Sequence, residues 1–311
     1  MRFKLKLKSY LFKGVAKIFN GYCNRFVYNN NSKEVRNVIK DLAYGEHSKE
    51  KLDVIIPKGS GPFPVIVYIH GGGWTVGDKK SYDRIVKEYA NSGYLVFNIN
   101  YRLAPKFNYP IQIQDVSKAI YFAYKKASEY NGYSSEMFLA GDSAGAHLSS
   151  WYAAALNKKI LFKAIDIKNI IPKDALKGLL LFYGSYNVKE KNDFKVLWFS
   201  VDDMIESFLG DRIDVCKEKS LNISVSKHIT KDYPPVFISS AIKDKLHSQS
   251  VKFEKILKLN NIYHKTFFIS ENVDPKADHS FLNFYKLPSS KLAIEKSKEF
   301  LNEIKLLSSS Y

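Results

Sequence analysis

The chain has few cysteines, too few carboxylates for its bases, and no long apolar runs. Two cysteines in 311 residues, Cys23 and Cys216, cannot build a disulfide framework, and their separation fits no metal-ligand spacing. A reducing, cytoplasmic compartment is the expectation. No segment offers about 20 uninterrupted apolar residues, so no membrane-spanning helix is expected. Histidines and carboxylates show no HExxH or similar cluster, so no metal is expected. Neither G-x-x-x-x-G-K-S/T nor G-x-G-x-x-G occurs, which sets aside the common phosphate and dinucleotide loops, and no cofactor is implied. Internal repeats and low-complexity linkers are missing too.

The carboxylate deficit leaves 48 Lys and Arg against 31 Asp and Glu, a net charge of +17. The lysines are spread along the chain without a nucleic-acid-binding module, so no nucleic-acid partner is expected. The start, "MRFKLKLKSYLFKGVAKIF", is different, with six bases and no carboxylate. Within it Phe3, Leu7, Leu11, Val15 and Ile18 recur at helical spacing and share a face. Residues 1–19 therefore read either as a basic amphipathic helix at a membrane surface or as a helix packed over the main domain with its lysines in water. The second is preferred, because helical apolar stripes usually face a core.

From residue 51 onward strands and helices alternate. This implies an α/β fold with a mostly parallel sheet of about eight strands covered on both faces. "LDVIIP", "VIVYIH", "YLVFNINY", "EMFLAG", "GLLLFYG", "PPVFISSA" and "KTFFIS" read as strands. Residues 185–212 read as an irregular insertion between sheet elements.

Two motifs carry chemistry. "LAGDSAGAHL" holds Gly141, Ser143 and Gly145 as G-x-S-x-G between a strand and a helix. By composition alone this pattern arises in roughly one chain in ten of this length, so its context decides. A sharp strand-to-helix turn would thrust Ser143 into the open as a nucleophile. The second motif is "HGGGW", directly after "VIVYIH". An attacking serine creates an oxyanion, and bare glycine backbone can bring N–H donors close to it. Gly72, Gly73 and the residue after the nucleophile, Ala144, are the expected donors.

The base is expected after the last strand, which selects His279 in "KADHSF" from seven histidines. The acid is expected at a strand end between the two, which selects Asp244 in "SSAIKDKL", with Asp274 in reserve. Asp142 reads as a support for the elbow. Trp74, Trp198 and Phe199 are expected to line a substrate pocket.

With "HGGGW", "YRLAP", "GDSAGAHL", "SSAIKDKL" and "DHSF" in this order, the chain resembles the hormone-sensitive-lipase-like carboxylesterases and acetyl esterases of the α/β-hydrolases. The resemblance implies the α/β-hydrolase fold, a Ser143–His279–Asp244 triad, an oxyanion hole of Gly72, Gly73 and Ala144, and a helical cap. It implies a domain 51–311, with cap parts from residues 1–50 and from an insertion near 185–212. It also implies a small-molecule ester substrate with a short to medium acyl group. "HGGGW" equally fits the H-G-G-x-W pattern of kynurenine-formamidase-like members, which keeps an arylformamide open. A lipid ester at a membrane surface and an idle, purely binding site on the same fold are the other readings.

Overall fold

Short runs rich in Val, Ile, Leu and Phe form the strands, because branched and aromatic side chains pack well on a pleated, buried surface. The computed structural model describes residues 3–29, 32–190 and 193–309. In chain order the strands are β1 (Asn37–Ala43), β2 (Lys51–Ile56), β3 (Phe63–Ile69), β4 (Leu95–Ile99), β5 (Gly132–Asp142), β6 (Leu176–Phe182), β7 (Lys195–Val196), β8 (Phe199–Ser200), β9 (Val236–Ala241) and β10 (His264–Ile269). The helices are α1 (Phe3–Cys23), α2 (Asp83–Ala90), α3 (Ile111–Lys126), α4 (Ala144–Asn157), α5 (Ile160–Lys163), α6 (Val201–Leu209), α7 (Lys217–Ile223), α8 (His247–Leu259) and α9 (Pro288–Ser309).

Eight strands make one sheet in the order β1-β2-β4-β3-β5-β6-β9-β10. The β1–β2 and β2–β4 pairs are antiparallel and the others parallel. Alternate residues of β3 serve two cores. Val65, Val67 and Ile69 pack with residues of α3, α4 and α8 on one face. Ile66 and Tyr68 pack with α2 and α9 on the other. Burial on both faces is why these strands read as continuous apolar runs without alternation. The C-terminal ends of β3, β5 and β9 and the loop after β10 meet at one edge, where open parallel sheets carry their sites.

Three expectations need correction. The sheet begins before residue 51. β1 pairs with β2, so a division at 50/51 separates an edge strand from its partner. Its residues are half-buried or exposed, which erased the apolar signal. The insertion is not irregular over 185–212. It contains the β7–β8 hairpin and α6, which starts on a Ser200–Asp203 capping box and stops at Gly210 in the left-handed region.

The third correction concerns α1. The helix packs on the main body, but not through its apolar stripe. Phe3, Leu7, Leu11, Val15 and Ile18 are all exposed, Phe3 by 80% and Ile18 by 77%. The buried residues are Ser9, Phe12 and Cys23. Small Ser9 lets α1 approach α6, where its hydroxyl meets that of Ser207 at 2.6 Å. Phe12 stacks on Phe199 with ring centroids 4.5 Å apart. Lys8 reaches inward to Asp203. Specific pairing partners, not hydrophobic periodicity, chose the face. Among the described residues no helix is long and apolar enough to cross a membrane.

Candidate active site

The chain leaves β5 and enters α4 through one residue, Ser143, at φ 49° and ψ −115°. This backbone is costly for a non-glycine residue and persists only where the surroundings enforce it. They do. The Ser143 N–H donates to the Phe182 carbonyl of β6 at 2.8 Å. A Cβ on Gly145 would stand 1.9 Å from the Ile69 carbonyl oxygen, so only glycine lets α4 press against β3 this closely.

Ser143 Oγ lies 3.1 Å from Nε2 of His279, and His279 Nδ1 lies 2.8 Å from Oδ2 of Asp244. A carboxylate accepts only, so Nδ1 carries the hydrogen and Nε2 is left to accept from the serine hydroxyl. Asp244 is buried, and its second oxygen accepts the Leu246 N–H at 2.8 Å. Burial pushes the His279 imidazole down in pKa. The charge and hydrogen bond of Asp244 outweigh it, helped by Asp142 and Asp278, and the net shift is upward from 6.5. Tyr183 and Phe194 flank the imidazole, with centroids 5.0 and 4.6 Å from its ring.

The glycine loop leaves β3 beside this trio. Gly72 has φ +112°, and a Cβ on it would stand 2.2 Å from the Val76 carbonyl oxygen. The turn closes through Val76 N–H to Gly72 O at 2.9 Å. Asp142 anchors its start, accepting from Gly71 N–H at 2.8 Å and from the Tyr82 hydroxyl at 3.0 Å. Burial lifts the Asp142 carboxyl to about 6 against these bonds. The backbone N–H groups of Gly72, Gly73 and Ala144 have no hydrogen-bond partner among the described residues. Orphan donors of this kind at a helix N-terminus and a tight loop suit a developing negative charge.

The other histidines are engaged elsewhere. His70 bonds the Gly71 carbonyl through Nδ1 at 2.7 Å and stacks on Tyr101, holding the loop. His147 is buried and pushed down to about 4 by that burial. It accepts from Trp74 Nε1 at 3.3 Å and bonds the Ile223 carbonyl at 2.7 Å. Asp274 accepts from the Ser289 backbone and hydroxyl near the start of α9, not from His279. Asp278 accepts the His279 backbone N–H.

Ser143, His279 and the glycine loop open into a cavity of about 490 Å³, roofed by α1 and the β7–β8 hairpin. Of the three aromatics expected there, none lines it. Trp74 is buried, stacked on Phe208, and points into the core. Phe199 lies behind Phe12, and Trp198 is 46% exposed on the hairpin. The apolar wall comes instead from Phe12, Phe19, Phe194, Val196, Leu197 and Met204. Residues at element ends and in the roof carry no motif, and only the apolar composition of the first 20 residues pointed to any of them. Among the described residues no group of three or more His, Cys, Asp or Glu side chains is placed to hold a metal ion.

The sheet, elbow and loop define an α/β-hydrolase. The chain belongs to the BD-FAE family, whose model matches residues 52–257. It is 30% identical over 220 residues to the probable carboxylic ester hydrolase LipM of Mycobacterium tuberculosis, covering 66% of this chain and 48% of that protein. It is 28% identical over 234 residues to the acetyl esterase of Salmonella dublin, covering 71% and 66%. The matches thus span between about half and two thirds of these curated relatives. Among solved structures, esterase B from Lactobacillus rhamnosis superposes with a TM-score of 0.83 at 19% identity over 98% of this chain and 96% of that one. An esterase from Pyrobaculum calidifontis gives 0.75 at 21% identity over 95% and 93%. At such identities the structures speak for the fold.

Proposed function

We propose that the protein hydrolyses carboxylic esters of small molecules through an acyl-enzyme on Ser143. The observation that carries this is the hydrogen-bonded line Asp244–His279–Ser143 beside three unpaired N–H donors. His279 takes the serine proton as Oγ attacks the ester carbonyl. The oxyanion rests on Gly72, Gly73 and Ala144, each donor worth about 3–4 kcal/mol in such sites. His279 then protonates the leaving alcohol, and water activated by the same imidazole releases the acid. Asp244 holds the tautomer and steadies the imidazolium. The kinship with carboxylic ester and acetyl ester hydrolases supports the substrate class, and the modest cavity supports short to medium acyl groups.

Initial rates on p-nitrophenyl esters from acetate to palmitate test it. Wild type is expected to prefer the short esters, and Ser143→Ala to lose roughly 10⁴–10⁶-fold in kcat. Wild type and variant alike inactive on every ester, with turnover of a formanilide instead, would replace the reading with an amide hydrolase. Failure of a fluorophosphonate probe to label Ser143 would leave a binding protein on this fold.

One observation favours a second reading, a lipid ester taken from a membrane surface. Val15, Phe19, Val196 and Leu197 both line the cavity and are exposed at its rim. They continue into the outward apolar stripe of α1, beside exposed Lys4, Lys6 and Lys17. Such a face suits an anionic lipid surface. Co-sedimentation with phosphatidylglycerol vesicles, lost in Leu11→Ser/Ile18→Ser, and a long-chain optimum would favour it. No sedimentation would remove it.

A further inference from the structure

A second cavity, about 550 Å³, lies between α1 and the loops after β1, β3 and β4. It shares Asn20, Val76, Gly77 and Ser81 with the catalytic cavity, so the two adjoin along these residues. Its lining is unlike any other part of the surface described above. Five lysines line it, half-buried Lys13 and exposed Lys17, Lys49, Lys80 and Lys106, against a single carboxylate, Asp78. That carboxylate is occupied by the Lys80 backbone N–H at 3.0 Å and the Asn100 amide at 3.2 Å.

None of the five lysines forms an ion pair with any described residue. The contrast with nearby bases is sharp. Lys79 is buried on Asp41 and Asp53, Arg102 grips Asp115, and Lys118 reaches Glu50. The fold therefore pairs these structural bases with carboxylates and leaves the five cavity lysines without an ion pair among the described residues. Lys13 shows the cost most clearly. It is a half-buried residue of α1, and its ammonium has only the Ala104 carbonyl, at 3.2 Å. Burial first, then the charges of Lys49 and Lys106, hold its pKa down at about 8. An ammonium kept without a carboxylate, in a cavity crowded with like charge, is a group whose partner comes from outside the chain. Asn20 and Asn24 add neutral amides to the same lining.

We propose that this cavity is a subsite for a phosphate-type oxyanion carried by the ester substrate, whose scissile carbonyl lies at Ser143. Lys13, Lys49 and Lys106 meet the anion and hold the acyl ester where the two cavities adjoin. Water cleaves the ester to acid and alcohol, and the phosphate passes through unchanged. The substrate half of this inference rests on the esterase reading, and the binding half does not.

The experiment compares 1-butyrylglycerol 3-phosphate with 1-butyrylglycerol, and follows Tm with inorganic phosphate at constant ionic strength. Wild type is expected to show a KM at least about tenfold lower for the phosphorylated ester. In Lys13→Met/Lys49→Gln/Lys106→Gln that ratio should fall to within about twofold of one, and the phosphate-induced rise in Tm should vanish. Lys13→Met alone should raise Tm without phosphate, since it removes an unpaired half-buried cation, and Lys49→Gln/Lys106→Gln keeps the test open should that helix variant misfold. Equal KM values for the two esters would overturn the proposal, even with a Tm rise, because free phosphate would then be the ligand. A preference that survives in the triple variant would overturn it too. A Tm rise lost in the variant, with neither ester hydrolysed, would uphold the anion site and sink the esterase reading.

Discussion

The elbow beneath the catalytic cavity and the roof above it are built on opposite terms. In the elbow the carboxylates and the nucleophile's backbone are matched. Asp142 is filled by Gly71 and Tyr82, Asp244 by His279 and Leu246, and Ser143 is locked to β6. Among the described residues the backbone donors of Gly72, Gly73 and Ala144 stay free there, as do the buried hydroxyls of Tyr68 and Tyr183. In the roof the balance is reversed. α1 turns Phe3, Leu7, Leu11 and Ile18 to solvent and holds half-buried Lys13, without an ion pair, at the second cavity. Rigidity is spent where a reacting atom needs a fixed position within fractions of an ångström. Exposed apolar surface and unpaired charge remain in the roof.

The comparison breaks most completely in the elbow. Asp244→Asn should leave the fold standing and lower kcat by about 10⁴-fold, since the amide favours the wrong imidazole tautomer. Steady-state kinetics on a short ester, with circular dichroism as the control for folding, check this. A loss below tenfold would mean that Asp244 is a structural carboxylate.

Phe12→Ala tests the seam between the two regions. It removes a buried ring from the stack on Phe199 and should cost about 3–5 kcal/mol, read as a lower Tm. Because Phe12 also lines the cavity, KM should rise more than kcat falls. An unchanged Tm would show that α1 is held by something else.

Tyr82→Phe should cost about 1–3 kcal/mol by leaving one oxygen of buried Asp142 without its hydroxyl donor. A modest fall in kcat should accompany it as Gly71 loosens, and chemical denaturation measures the first part directly.

The pH profile sharpens the comparison without any mutation. The proposed mechanism needs neutral His279, whose pKa is raised from 6.5, so kcat/KM should drop as pH falls through a value above 6.5. The stability contribution of the same pair has the opposite sense. It is fully present below the unfolded value of 6.5 and is lost as pH rises through the folded pKa. The smallest effect belongs to the roof's outer face. Leu11→Ser should change stability by no more than about 0.5 kcal/mol, because Leu11 touches mainly solvent.

The elbow is largely legible in the amino-acid sequence. G-x-S-x-G at a strand end forces one backbone solution, and the order of Ser143, Asp244 and His279 along the chain leaves few candidates. The fold brings these residues within hydrogen-bond distance and leaves Asp274 and Asp278 on other partners. The roof is not legible in the same way. The spacing of Phe3, Leu7, Leu11, Val15 and Ile18 announces a helix face but not which way it points. Trp74 resembles a pocket wall because it follows the glycines, yet Nε1–H to His147 draws it into the core. β1 escapes notice because an edge strand buries too little to carry a pattern.

The sequence by itself determined the fold class, the strained serine, the glycine loop and the chain order of Ser143, Asp244 and His279. These depend on backbone constraints acting within a few residues, where a missing Cβ or a forced φ admits one answer. Tertiary structure alone decided which face of α1 is covered, which aromatics meet the substrate space and which lysines go without a counter-charge. Those outcomes are competitions among distant groups for one buried surface, and no local pattern records who wins.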